Sequence, residues 1–168
     1  MNRRWTVLLL FVTLALASGA YALSVGPFTA DGLRDALQDP EFYEALGYRL
    51  GTEGDWDGAQ RAYARALELE PTSETTRLNF AIASFHAGDY DVAIAQYREL
   101  LALDAGNRMY RFDLAQSLVA HARTVETNGD AAVTQLNEAL GLLEHVGNYP
   151  HARENAAIIR AVLLEAGA

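Results

Sequence analysis

His86, His121, His145 and His151 are the side chains of this sequence best suited to proton transfer or metal ligation. They are scattered along the chain, and none stands in an H-E-x-x-H or other paired-ligand spacing. Each therefore reads as a polar residue on a helix surface. Glu144 with His145, and Asp89 with Asp91, fall where helix ends are expected and read as charges matched to helix termini, not as acid/base couples. Arg108 and Arg111, one turn apart, are placed to touch an anionic group, but they read first as solvated surface arginines. No glycine-rich phosphate loop and no G-x-S-x-G turn occurs. Cys is absent, which removes disulfides, thiolate metal ligands, thioether haem attachment, a cysteine nucleophile and a lipoprotein anchor together. The sequence thus predicts no catalytic residue, no metal site and no cofactor, and the chain is not expected to be an enzyme.

With that chemistry set aside, charge limits the partners. The chain carries 13 basic residues, all of them Arg, against 22 acidic ones, for a net charge of −9. A field of that sign repels phosphate, and no basic stripe offsets it, so nucleic acid is not an expected partner. A hydrophobic share of 51% over 168 residues suits a packed globular chain with a core of its own.

The first 22 residues read as a targeting segment. Arg3 and Arg4 precede an apolar run from Trp5 to Ala17, followed by small residues and the triplet Ala20-Tyr21-Ala22. This order matches a secretory signal cleaved after Ala22. The alternative is a single uncleaved anchor, since the run lengthens if counted through Leu23. Both place the acidic bulk outside the cytoplasm, with Arg3 and Arg4 inside. Either way the body is expected in the periplasm or held at the inner membrane. Residues 23–39 read as a linker with a short helix, broken at Gly26-Pro27, with Leu33, Ala36 and Leu37 on one face.

A period of 34 residues organises the rest. Leu46, Phe80 and Leu114 recur at that spacing, as do Gly47, Ala81 and Ala115. Gly54-Asp55 returns as Gly88-Asp89, Ala59 as Ala93, Tyr63 as Tyr97, Leu67 as Leu101 and Leu69 as Leu103. Each unit reads as two helices. In the first, Asp39 caps a helix that opens with Pro40 and runs to about Thr52, with Tyr43, Leu46, Gly47 and Leu50 on its buried face. Gly54 supplies a left-handed turn, Asp55 caps the second helix, and Pro71 closes it near Glu70. The small residues let helix axes approach to roughly 8–10 Å.

These positions resemble the tetratricopeptide repeat, whose pattern is W-x₂-L-G-x₂-Y…A-x₃-F…P. It stands here as Tyr43-x₂-Leu46-Gly47-x₂-Leu50…Ala59-x₃-Tyr63…Pro71. A second copy runs Arg77-x₂-Phe80-Ala81-x₂-Ser84…Ala93-x₃-Tyr97, with Ala105 in place of the proline. A third opens as Arg111-x₂-Leu114-Ala115-x₂-Leu118. It then departs, because Ala132, Leu136 and Ala139 follow their counterparts by 39 residues and the turn around 124–130 has gained about five. The resemblance implies an all-α fold: an α-solenoid of stacked helix-turn-helix hairpins with a C-terminal capping helix. The units would be 40–73, 74–107 and a degenerate third at 108–146. Residues 147–168 form the cap, with Ala152, Ala156, Ile159 and Leu163 on its buried face. The type implied is a bacterial exported or membrane-anchored one.

In this family the first helices of the hairpins line a concave groove that holds a peptide or helix of another protein. The resemblance places Tyr48, Leu78, Asn79, Ile82, Phe85, Met109, Phe112 and Gln116 in that groove. Glu41, Glu44, Thr52, Thr75, His86, Asp113 and Val119 stand beside them. A terminal helix folding over this apolar patch is the alternative. The Lys and Arg that grip a terminal carboxylate in chaperone-binding arrays have no counterpart beside Asn79. Glu41, Glu44 and Asp113 stand there instead, which suits a basic amphipathic partner. The expected function is a protein-binding scaffold outside the cytoplasm. Two alternatives stay open: a periplasmic assembly factor of the cytochrome c maturation type, and a self-associating structural array.

Overall fold

The computed structural model describes residues 34–124 and 129–167. The expected signal or anchor, most of the linker and the middle of the lengthened third turn lie outside the described residues. Among them the chain is entirely helical. A short helical piece at 34–36 precedes α1 (Pro40–Glu53), α2 (Trp56–Leu69), α3 (Glu74–Ala87), α4 (Tyr90–Leu103), α5 (Arg108–Thr124), α6 (Asp130–Glu144) and α7 (Ala152–Glu165). Each helix packs chiefly on the ones before and after it in sequence. This is the stacked solenoid that a fixed period demands.

Local chemistry sets the hairpin boundaries. The Glu41 N–H donates to Asp39 Oδ1 (2.9 Å), and Pro40 opens α1 where a missing N–H costs nothing. Gly54 and Gly88 end α1 and α3 with φ of 84° and 83°, a conformation that a Cβ would strain. Asp55 Oδ1 accepts from the Gly58 N–H (2.8 Å) and caps α2. Its counterpart Asp89 makes no such bond; its Oδ2 accepts from Gln60 Nε2 of α2 (2.9 Å) and so ties two helices together.

The core follows the small and large positions of the period. Ala59, Ala81, Ala93, Ala115 and Ala139 are fully buried, and Tyr63, Tyr97, Leu100, Leu114 and Leu118 fill the space between helices. In α1, Gly47 is buried as the pattern requires, but Tyr43, Leu46 and Leu50 are only half-buried, and Phe42 is the large side chain that goes inside. The reason is position: α1 leads the first hairpin. Tyr43 instead takes the Arg65 guanidinium over its ring (5.9 Å). At the other end, α7 buries Ala152, Ala156, Ile159 and Leu163, while Ile158, Val162 and Leu164 stand exposed on its other faces. Helix α5 has 17 residues where α1 to α4 have 14, so part of the third unit's added length is helix.

Candidate binding groove

Helices α1, α3 and α5 are the first helices of successive hairpins, and their shared face carries the groove residues. Tyr48 on α1 is 66% exposed, and Ile82 on α3 and Met109 on α5 are each 36% exposed. Gln116 is exposed, whereas Leu78 and Asn79 are half-buried. Phe85 and Phe112 are drawn into the fold. The Phe85 ring meets Tyr90 and His86 edge-on, each with centroids 5.6 Å apart, and Phe112 leans on Tyr149 at 4.9 Å. The apolar surface left open is therefore narrower than the helical pattern alone suggests. Of the flanking residues, His86 stacks on Trp56 at 4.4 Å and Thr52 donates to the Arg49 carbonyl (2.7 Å). Glu41 and Thr75 face solvent.

Each of the three helices also presents an acid beside a tyrosine. Glu44 accepts from the buried Thr76 hydroxyl and from Ser73 at the start of α3, so it is less a free rim charge than a tie between α1 and α3. Burial, with Glu44 and Tyr48 nearby, pushes the Tyr63 hydroxyl up to about 12. Tyr110 of α5 donates to Glu74 of α3 (2.6 Å), and that bond is the main reason its hydroxyl is raised to about 12. Asp113 makes no hydrogen bond through its carboxylate to the described residues, and burial pushes that group up to about 6. Tyr97 beneath it is raised chiefly by its own burial and then by the Asp113 charge.

A cleft lies further along, between α5 and α7. It holds about 190 Å³ over a floor of Ala115, Leu143 and Ile159, with Val119 and Ile158 as walls. Gln116, Asn155 and Arg123 stand at its edges. The repeat pattern points to Gln116 and Val119 but not to the rest of the cleft, because α7 lies outside the period. The one available signal was the second apolar stripe of α7, Ile158 and Val162, beside its buried stripe.

The histidines serve the fold in separate places. His121 bridges three helices: its Nδ1 lies 2.6 Å from Gln135 Nε2 of α6, and its Nε2 lies 3.4 Å from Asp91 of α4. His145 Nδ1 lies 2.7 Å from the Gly141 carbonyl, and His151 stands 3.5 Å from Glu154. No group of three or more His, Asp or Glu side chains among the described residues is arranged to hold a metal ion. Arg111 donates to the carbonyls of Ala105 and His145, which occupies it structurally.

Residues 52–112 match the family model described as tetratricopeptide repeat. Among curated proteins, the BBSome complex member BBS4 of Mus musculus is 26% identical over 147 residues, covering 73% of this chain. The chain spans only about 28% of the length of that relative. The Sgt2 TPR domain from Aspergillus fumigatus superimposes with a TM-score of 0.56 at 15% identity, covering 76% of this chain and 81% of that one. The first TPR of Spaghetti (RPAP3) gives 0.55 at 18% identity, covering 76% and 94%. The Arabidopsis OM64 TPR domain gives 0.54 at 17%, covering 75% and 98%. A repeat match across 52–112, and solved repeat domains that overlay three quarters of the chain, give this protein the fold of a tetratricopeptide-repeat solenoid.

Proposed function

We propose that this protein is a protein-binding module of the exported, tetratricopeptide-repeat type that holds a peptide or helix of a partner in its concave groove. The observation that carries the reading is that each of three successive first helices leaves a large apolar side chain open, Tyr48, Ile82 and Met109. Apolar side chains left open on the groove helices of a chain with net charge −9 support an interaction site there. The solved Spaghetti domain is described as bound to an HSP90 peptide, which supports peptide capture on this fold without naming a partner here. At the Glu44, Glu74 and Asp113 end the groove favours a basic segment. Residues 1–22 support a setting in the periplasm or at the inner membrane. No helix among the described residues is long and apolar enough to cross a membrane.

A photoreactive side chain placed at Ile82, with a second variant at Leu103 as control, tests the reading in intact cells. Leu103 is 66% exposed but lies on α4, outside the groove. The expected result is a discrete crosslink from Ile82 that Met109→Asp abolishes and that Leu103 does not give. Equal labelling from both positions overturns the proposal. The mass of the mature N-terminus decides between cleavage after Ala22 and an anchor.

Self-association is a second reading, favoured by the exposed Ile158, Val162 and Leu164 on α7. Light scattering that shows a monomer at high concentration removes it.

A further inference from the structure

We propose that the cleft between α5 and α7 is a separate subsite that takes an acidic, aliphatic stretch of the partner: a leucine-like side chain in the cleft, with a carboxylate one or two residues away on Arg123. The proposal rests on the protein-binding reading above and assigns that site a second, oppositely charged end.

The shape of the cleft sets its apolar occupant. A floor of Ala115, Leu143 and Ile159 between Val119 and Ile158 leaves about 190 Å³, room for one branched aliphatic side chain. Ile158 is 57% exposed, so an occupant would remove apolar surface that the fold itself leaves wet.

Charge sets the polar end. Arg49, Arg65, Arg98 and Arg160 each stand in an ion pair, and Arg77 and Arg111 are held by hydrogen bonds. Arg123 has neither kind of partner among the described residues, and the cleft it borders is lined by no acid. Arg123 is exposed at the rim of the cleft, where its guanidinium can offer a carboxylate a forked, charge-assisted pair. The net charge of −9 slows the approach of an acidic partner. However, at physiological salt, fields fade over about 8 Å, so the local cation decides once contact is made. Glu44 on α1 and Glu74 on α3 disfavour the same acidic stretch on the neighbouring first helices, which biases the direction in which a partner lies.

Gln116 and Asn155 supply amide donors and acceptors for the backbone of the bound segment. Gln116 precedes Arg123 by two helical turns, roughly 10 Å. About three extended residues cover that distance.

The test is an NMR titration of the full chain with the peptide acetyl-Leu-Ala-Asp-amide at millimolar concentration, and with its Asn counterpart, which differs only in charge. The expected result is saturable shifts of the Gln116, Val119, Arg123 and Ile158 amides, with affinity about threefold to fivefold lower for the Asn peptide. Arg123→Gln should reduce the Asp peptide to the Asn level while the rest of the spectrum is unchanged. Absence of saturable shifts at α5 and α7, equal affinity for both peptides, or indifference to Arg123→Gln overturns the proposal. Each of those failures leaves the groove reading standing, because the Ile82 crosslink tests it with a different probe at a different place. Loss of that crosslink alongside intact peptide binding would sink the groove reading and keep the subsite.

Discussion

A Cβ built on Gly47 stands 2.9 Å from the ring of Tyr63, closer than side-chain carbons approach in folded proteins. Tyr63 is 5% exposed and has little space to retreat. Gly47→Ala therefore overpacks the first hairpin, at roughly 1–3 kcal/mol. The helix gains back about 1 kcal/mol from replacing glycine with alanine. The net expectation is a destabilised protein with a lower urea midpoint. Gly51 is the control: its Cβ would meet Trp56 at 3.2 Å, a contact the half-buried indole can relieve by a small shift. Gly51→Ala should come out near neutral.

The two equivalent caps should differ in worth. Asp55 accepts the Gly58 N–H, so Asp55→Ala removes a helix cap at a cost of about 1 kcal/mol. Asp89 instead holds Gln60 through an exposed side-chain bond, and its loss should cost clearly less. Thermal unfolding of the two variants side by side checks the order.

Asp113 gives the pH dependence a definite sign. Its folded pKa of about 6 lies above the unfolded value, so the folded state takes up a proton first. The stability this group adds is full below about pH 4, declines as pH rises through 6, and is gone above it. Asp113→Asn should match the parent protein at pH 4 and exceed it at pH 7. Denaturant midpoints at the two pH values decide this; a variant that is less stable at pH 7 contradicts the burial argument.

The Thr76 hydroxyl is 1% exposed and donates to Glu44, while Tyr110 donates to Glu74 nearer the surface. Thr76→Val leaves a part-buried carboxylate short of a donor, at about 1–3 kcal/mol. Tyr110→Phe leaves Glu74 free to be hydrated and should cost about 1 kcal/mol or less. Chemical denaturation of both variants tests the ranking.

Local signals made the hairpins legible in sequence. Gly54 and Gly88 need a left-handed backbone, Asp39 and Asp55 need to cap, and Gly47 needs to be small; each constraint is met within a few residues of itself. The groove was harder to read. Helical spacing puts Phe85 and Phe112 on the open face, but their ring partners, Tyr90 and Tyr149, come from the next helix and from the loop before α7. Glu44 looks free until α3 brings Thr76 against it, 32 residues later. The α5–α7 cleft was not legible, since its walls Val119 and Ile158 meet only when the irregular end of the chain has folded back. Periodicity describes a repeat well and the end of a repeat poorly.

Helices that lean mainly on their sequence neighbours make a structure more like a leaf spring than a block. Small rotations at each joint add up along the stack while every joint keeps its packing. The concave side can therefore open or tighten around a guest for little energy, and tension on one terminus would peel off the last pair before disturbing the first.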